Sequence, residues 1–280
     1  MIDIYNMDGL EFLKTVPDNS VDLVLTDPPY VTSRDSGMNK WNMKIKKGSF
    51  KGKTEKDWED FLLTLSEETR NEITDKDKEN YLRYGDRFGK RFAYHTDYGD
   101  WDKDFTLEQL DCFAQEFYRV LKPSGTCIIF FDLWKITNLK DILENHRFKQ
   151  LRLIEWLKTN PVPINSKLNY LSNAREIALT AVKKSKPTFN SSYDNGVYRY
   201  PIYSGKDRFH PTQKSLKLFS DLINKHSKEN DVVLDCFLGS GTTAVACLQT
   251  NRSFMGCEMS EEYYKKSKNR LKQYEVKNAS

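Results

Sequence analysis

The feature that most constrains the fold is a short apolar segment, Val232 to Asp235, which leads through Gly239-Ser240-Gly241 into a helical segment over 242–250. Two glycines between a strand and a helix permit backbone conformations that other residues disfavour, and they let a ligand approach the backbone closely. Short apolar segments alternate with helical ones along most of the chain. This alternation predicts an α/β fold with a mostly parallel, doubly wound sheet and helices on both faces.

Composition excludes several classes of protein. Hydrophobic residues make up 38% of the 280 residues and charged residues 30%. This composition supports a packed core, and no apolar run approaches the roughly 20 residues that span a bilayer. Five cysteines without a CxxC pair and four histidines without an HExxH pattern predict no metal site. The N-terminus lacks the features of a signal peptide, so we expect a cytoplasmic protein without a membrane contact.

Two stretches depart from the alternating pattern. Residues 31–95 are polar, with seven lysines and one acidic residue between positions 40 and 56, and we interpret them as an inserted, partly helical segment. Residues 149–214 contain twelve Lys and Arg against four Asp and Glu, in a chain whose net charge is only +4. Such a basic block favours contact with a polyanion, and a solvated basic face is the alternative.

The glycine turn predicts a site for a nucleoside. Glu258 ends the next strand, 17 residues after Gly241. A carboxylate at that position can accept hydrogen bonds from both hydroxyls of a ribose. The spacing Gly239-x-Gly241-x-x-Ala244 also satisfies the dinucleotide fingerprint, so the turn alone does not separate NAD from S-adenosylmethionine.

A second motif, Asp27-Pro28-Pro29-Tyr30, directly follows a strand. The lone pair of an aromatic exocyclic amine is delocalised, and accepting hydrogen bonds from both of its N–H groups makes the nitrogen more nucleophilic. Asp27 supplies one acceptor, and the Pro28 carbonyl, in a stiff diproline segment, supplies the other. Tyr30 offers a flat face to a base turned out of a helix. A plain strand-ending turn is the structural alternative.

Together the two motifs resemble those of the DNA amino-methyltransferases, which use S-adenosylmethionine to methylate adenine N6 or cytosine N4. The resemblance extends to Asp8 after the first strand, to Lys122-Pro123-Ser124-Gly125 and to His210-Pro211-Thr212-Gln213-Lys214. It covers most of residues 1–30 and 100–275 and none of the inserted segment. The order of the motifs, with the catalytic strand first and the cofactor strand last, is that of the beta group of this family.

The resemblance implies a circularly permuted, seven-stranded, Rossmann-like methyltransferase sheet, in a single catalytic domain over 1–280. The Asp27 strand and the Gly239 strand should then be neighbours, because ligands bind where the strand order reverses. Asp27, Pro28, Pro29 and Tyr30 are the expected catalytic residues. The expected contacts of S-adenosyl-L-methionine are Asp8, Asp27, His210, Thr212, Gln213, Lys214, Asp235, Phe237, Gly239, Ser240, Gly241, Thr242 and Glu258.

Double-stranded DNA is the expected substrate, with the basic region over 158–209 as its candidate recognition surface. Aromatic residues such as Trp156 and Tyr198 lie in or beside this region and could read base edges, and an aromatic core with solvated lysines is the alternative. The predicted DNA contacts are Lys44, Lys46, Lys47, Lys158, Lys167, Arg175, Arg199 and Arg208. The resemblance also implies three features that the residues do not specify: a second copy of the chain, a cognate restriction endonuclease and a prokaryotic, nucleoid-associated location.

The expected activity is site-specific adenine-N6 methylation, since relatives with Asp before Pro-Pro usually act on adenine. Cytosine-N4 methylation and an inactive DNA-binding relative are the alternatives. A NAD-dependent reductase would share the glycine turn but would have no use for Asp27-Pro28-Pro29-Tyr30.

Overall fold

The computed structural model describes residues 1–29, 53–85, 87, 105–161, 174–205, 207–210 and 212–279. The chain divides into two compact units, one formed by 1–31 with 101–280 and the other by 32–100. Among the helices of the described ranges, none has the length and apolar character needed to cross a bilayer.

The first unit is built on one eight-stranded sheet. Its strands are β1 (Ile2–Tyr5), β2 (Val21–Thr26), β3 (Leu121–Phe131), β4 (Phe148–Lys158), β5 (Arg175–Lys183), β6 (Val197–Tyr200), β7 (Val232–Asp235) and β8 (Ser253–Cys257). Their order across the sheet is β1-β8-β7-β2-β3-β5-β4-β6. Only β5 runs antiparallel to its two neighbours, and the other pairings are parallel, which confirms the mostly parallel sheet.

Helices cover both faces of this sheet, as the doubly wound prediction requires. They are α1 (Gly9–Thr15), α5 (Leu107–Val120), α6 (Ile136–Asn145), α7 (Leu216–His226), α8 (Thr242–Gln249) and α9 (Glu261–Ala279), with a 3₁₀ turn at Leu133–Lys135. The numbers α2 to α4 belong to the second unit.

The core has two layers, one on each face. On one face α1, α5 and α6 pack through residues such as Leu13, Phe117 and Leu143. On the other face α7 and α8 pack through residues such as Phe219 and Val245. Adjacent residues of β2 serve opposite layers, because successive side chains of a strand point to opposite faces.

The sheet has one strand more than the seven that were predicted. The addition is β6, which lies in the basic region over 158–209, and it pairs in parallel with β4 from Glu155↔Val197 to Lys158↔Tyr200. Four residues give too short a pattern for strand prediction. The indole N–H of Trp156, on the neighbouring strand β4, donates to the Tyr200 carbonyl at 2.8 Å, and this contact helps to hold β6 at the edge.

In the second unit, the described residues contain α2 (Glu55–Leu63), α3 (Glu67–Asn71) and α4 (Asp75–Tyr84). Thr54 and Thr74 each begin a helix with a capping box. The rings of Trp58, Phe61 and Tyr81 form a small aromatic core, with the Phe61 and Tyr81 centroids 4.5 Å apart. Trp58 is the buried residue of α2, and Phe61 and Leu62 are partly buried.

Candidate active site

The two motifs meet at the carboxyl edge of the sheet. Strand β2 pairs in parallel with β7 through Leu23↔Val233 and Val24↔Leu234, so both strands end at the same edge. Asp27 follows β2, and the glycine loop follows β7. Strands β8 and β1 lie on the far side of β7. The neighbouring position of the two motif strands, predicted from motif order, is confirmed.

Asp235 joins the ends of these two strands from inside the protein. Its carboxylate accepts hydrogen bonds from the Thr26 hydroxyl at 2.6 Å, the Thr243 hydroxyl at 2.6 Å and the Phe237 N–H at 3.0 Å. Burial raises the pKa of Asp235, while these hydrogen bonds favour its charged form. With three internal donors, the carboxylate positions β2, β7 and α8 relative to one another.

The glycine loop uses left-handed backbone at two positions, with φ of +52° at Gly239 and +76° at Gly241. A Cβ at Gly241 would lie 3.0 Å from the Ser267 Cβ, and a Cβ at Gly239 would lie 3.3 Å from Nε2 of His210. Both the conformation and the space therefore call for glycine. The loop brings backbone N–H groups to the start of α8, where a polar ligand can meet them.

We expect Gly241→Ala to lower the free energy of unfolding by about 1–3 kcal/mol, because an L-residue is strained at positive φ and its methyl group crowds Ser267. Urea unfolding of the parent and the variant measures the difference. Ala246→Gly, within α8, is the matched control for a change between glycine and alanine in a helix, where roughly 1 kcal/mol is expected. Equal stability of Gly241→Ala and the parent would contradict the strained conformation.

A buried arginine that the sequence analysis missed supports the loop from α9. Arg270 is 9% exposed, and its guanidinium donates to the Ser240 carbonyl at 2.8 Å and to the Thr242 hydroxyl at 3.1 Å. The Ser240 and Thr242 hydroxyls lie 3.0 Å apart. Burial lowers the pKa of Arg270. The side chains of Ser240 and Thr242, both predicted cofactor contacts, thus form hydrogen bonds with Arg270 of α9. No sequence motif marks Arg270 as a residue of the site.

Glu258 is held in a fixed orientation at the end of β8. Its Oε2 accepts from the Gly239 N–H and its Oε1 from the Ser260 N–H, each at 2.8 Å. Burial raises the pKa of Glu258, and the two backbone hydrogen bonds lower it. Each carboxylate oxygen has two lone pairs, so both can accept a further donor.

Three other predicted cofactor residues also have contacts within the protein. Asp8 caps α1 by accepting from the N–H groups of Leu10 and Glu11. The Phe237 ring packs 4.7 Å from that of Phe113. Thr212 is exposed, and its N–H and hydroxyl lie 3.3 and 3.1 Å from Nδ1 of His210.

The segment before α7 brings His210 and Gln213 into the same region. The His210 ring lies beside Gly239 and 4.5 Å from the Tyr263 ring, and burial lowers the pKa of His210 to about 4. The imidazole is therefore neutral at pH 7. Gln213 is 5% exposed, and its Oε1 has no hydrogen-bond partner among the described residues. A buried acceptor without a donor is costly unless a ligand or water satisfies it.

Lys214 contacts the Asp27 motif. Its ammonium group lies 2.9 Å from Oδ2 of Asp27 and 2.5 Å from Oε2 of Glu176. The other oxygen of Glu176 lies 2.8 Å from the ammonium group of Lys158. These four side chains form an alternating chain of charges, which we call the Asp27–Lys158 network. Lys158, predicted to bind DNA phosphates, thus has its ammonium group on Glu176.

The other predicted DNA contacts differ in exposure. Arg199 and Arg208 are exposed, and Arg175 is exposed while it forms an ion pair with Glu155 at 2.8 Å. Tyr30 and the lysines at 44, 46, 47 and 167 lie outside the described residues.

Two aromatic residues suggested as base readers have a different role. Trp156 is 1% exposed and Tyr198 is 5% exposed, and both belong to the core layer that packs against α7. The prediction that they face DNA is wrong, because alternate side chains of β4 and β6 point into that layer. Among the described residues, no group of three or more His, Cys, Asp or Glu side chains could hold a metal ion.

A doubly wound sheet with a glycine loop and a carboxylate motif on adjacent strands defines an α/β protein that binds a nucleoside-bearing ligand beside a second substrate. Residues 21–269 match the N6_N4_Mtase family, described as DNA methylase. The chain belongs to this family.

Individual relatives agree with this assignment. Type II methyltransferase M2.LlaDCHI of Lactococcus lactis subsp. cremoris is 35% identical over 195 residues, which cover 63% of this chain and 72% of that protein. The solved M1.HpyAVI–SAM complex is 27% identical, with a TM-score of 0.61 over 97% of this chain and 99% of that one. The cytosine-N4-specific PvuII DNA methyltransferase is 17% identical, with a TM-score of 0.65 over 96% of this chain and 86% of that one, and it shares the fold.

Proposed function

We propose that the protein methylates N6 of an adenine turned out of double-stranded DNA at a specific site, with S-adenosyl-L-methionine as the methyl donor. The observation that carries the proposal is the position of Asp27 at the end of β2, next to the strand that bears the glycine loop. The family assignment supports methylation of DNA, and the M1.HpyAVI–SAM complex supports the donor.

Three features of the described residues fit this cofactor. The Glu258 carboxylate is oriented and retains acceptor capacity for ribose hydroxyls. The left-handed glycines leave the backbone open to close approach. The buried Oε1 of Gln213 is an acceptor in need of a donor. When bound, the cofactor supplies an electrophilic methyl group on a sulfonium sulfur.

The residues of the chain would act on the amine. Asp27 accepts a hydrogen bond from one N–H of the exocyclic amine, and the Pro28 carbonyl accepts from the other. Both contacts increase the electron density on nitrogen and strengthen as positive charge develops there, so they favour the transition state over the ground state. Tyr30 stacks on the base and offsets part of the cost of unstacking it.

Product analysis tests the proposal. The protein is incubated with unmethylated DNA and S-adenosylmethionine that carries a labelled methyl group, and the DNA is digested to nucleosides for mass spectrometry. We expect labelled N6-methyladenine at one sequence context. Labelled N4-methylcytosine would instead support the cytosine alternative. The PvuII enzyme, which shares this fold, is cytosine-N4-specific. Binding of the cofactor and of DNA without any labelled product would support the inactive relative.

The exposed arginines offer a test of the DNA surface. We expect Arg199→Ala combined with Arg208→Ala to weaken DNA binding and to reduce the slope of log affinity against log salt by about 0.9 for each phosphate that the variant no longer binds. Lys149→Ala is the matched control, since Lys149 is exposed near the start of β4, whereas Arg199 pairs with Leu157 near the end of that strand. The affinity is measured by fluorescence anisotropy between 50 and 200 mM salt, roughly the range over which phosphate contacts are resolved. An unchanged slope in the double variant would remove both residues from the DNA surface.

A second copy of the chain and a cognate restriction endonuclease are further proposals, as is action on the chromosome in the bacterial cytoplasm. Light scattering with and without DNA tests the first of these.

A further inference from the structure

We propose that Lys214 is a positioning residue for the catalytic carboxylate: anchored by Glu176, it holds Asp27 ionised and in one orientation, and it does not hold the cofactor. This inference rests on the proposed function of Asp27 as the acceptor of an amine hydrogen bond.

The first argument is the geometry of the Asp27–Lys158 network. Its members come from four separate segments: the end of β2, the loop before α7, β5 and β4. Lys214 joins the catalytic motif to β5, because its ammonium group lies within 3 Å of both Asp27 and Glu176. Strand β3 lies between β2 and β5, and the Lys214 ammonium also lies 5.4 Å from the centroid of the Phe130 ring on β3. The aromatic face favours a cation at this position.

The second argument is burial. Lys214 is 8% exposed, and a buried ammonium needs anionic partners to stay charged. Burial opposes ionisation of Glu176, but the ammonium groups of Lys214 and Lys158 outweigh it and hold the pKa of Glu176 at about 2. Glu176 is therefore a permanent anion near neutral pH. Lys158 balances its second oxygen, so the network has two positive and two negative members.

The third argument concerns what Asp27 must do. A protonated carboxyl group would present a donor where an acceptor is needed. An opposite charge within 4–6 Å typically lowers the pKa of an aspartate by about 1–3 pH units. Lys214 brings that charge to Asp27 in direct contact, and Glu176 prevents the long side chain from turning toward solvent.

Three other titratable groups of the described residues come from the elements that pack near Asp27. From β7, Asp235 reaches the neighbouring Thr26 and is itself a carboxyl group. From the loop before α7, His210 is neutral at pH 7, because burial and then the charge of Lys214 lower its pKa to about 4. From β4, the Lys158 ammonium pairs with the other oxygen of Glu176 at 2.8 Å.

The direct test is the titration of Asp27 itself. The protein is labelled with ¹³C at the aspartate side-chain carboxyl carbon, and the Asp27 resonance is assigned by its loss in Asp27→Asn. We expect Lys214→Met to raise the pKa of Asp27 by about 1–3 pH units. Lys217→Met is the matched control, since Lys217 is exposed on α7 three residues away, and it should leave the titration unchanged. An Asp27 resonance that titrates identically in Lys214→Met and the parent would overturn the proposal.

Kinetics give a second reading. The acidic limb of the single-turnover rate should move to higher pH in Lys214→Met by the same interval, while Lys214→Arg, which keeps the charge, should stay near the parent. Affinity for S-adenosylmethionine should change less than about 3-fold, because Lys214 is not proposed to contact the cofactor. A 3-fold change corresponds to less than about 1 kcal/mol. A loss of cofactor affinity without a shifted acidic limb would return Lys214 to the cofactor site and refute the inference.

Two provisions keep the outcomes separate. If Lys214→Met does not fold, Lys214→Gln in the same titration takes its place. If the parent methylates no DNA, the proposed function fails, whereas the carboxyl titration still reports whether Lys214 controls the ionisation of Asp27.

Discussion

Asp27→Ala is expected to lower the single-turnover rate of DNA methylation by at least about 10²–10³-fold, the effect of removing one hydrogen-bonding group that acts in a transition state. In the proposed mechanism the carboxylate oxygen accepts from the amine as positive charge develops on nitrogen, and alanine supplies no replacement. Rapid-quench measurement with saturating enzyme and cofactor isolates this step. A variant that turns over at the parent rate would refute the mechanism.

The fold should survive this change. Lys214 loses one anionic partner in Asp27→Ala but retains Glu176 at 2.5 Å, so the ammonium stays paired. Asp27→Asn is the matched control, because the amide keeps an acceptor oxygen and we expect it to retain part of the activity. Circular dichroism and cofactor affinity close to those of the parent would establish that the reduced rate is chemical.

Glu258→Ala is expected to weaken S-adenosylmethionine binding by about 1–3 kcal/mol, which corresponds to about 5- to 150-fold in the dissociation constant. The carboxylate is oriented by Gly239 and Ser260, so its free lone pairs face donors without further ordering. Titration calorimetry measures the affinity. DNA binding in the absence of cofactor should be unaffected.

The same substitution leaves the N–H groups of Gly239 and Ser260 without their acceptor, so part of the effect can come from the loop. Glu258→Gln separates the two effects, because the amide oxygen can still accept from one of these N–H groups while the charge is absent. The free energy of unfolding is measured alongside for both variants. Unchanged cofactor affinity in Glu258→Ala would show that the ribose contact is misassigned.

Much of the fold could be predicted from local pattern and motif order. The glycine turn between Val232–Asp235 and α8 indicated a strand, a turn and a helix, because only glycine adopts left-handed backbone without strain. The resemblance to the DNA amino-methyltransferases, which includes the order of the two motifs, implied that β2 and β7 are neighbours, since ligands in such sheets bind where the strand order reverses. Strand β6 was not predicted, because its four residues show no clear alternation and form a strand only through their pairing with β4.

The candidate site was likewise only partly predictable from the sequence. Asp27 and Glu258 could be proposed from the sequence because each directly follows a strand and carries an oxygen that the proposed chemistry needs. Arg270 could not, since it lies on a helix 28 or more residues away from Ser240 and Thr242 and has no motif of its own. Lys158 was predicted to contact phosphate from its charge alone. Counting charges does not indicate ion pairs within the protein, and the partner of Lys158, Glu176, lies 18 positions further along the chain.

The sequence by itself thus determined the fold class, the order of the motif strands and the chemical character of the two site carboxylates. These properties follow from backbone conformation and side-chain chemistry, which act within a few residues. Only the tertiary structure decided which charges are paired: Asp27 with Lys214, Lys214 with Glu176, and Glu176 with Lys158. The physical reason is that an ion pair depends on distances of a few ångströms and on burial, and both arise only when separate segments pack against one another.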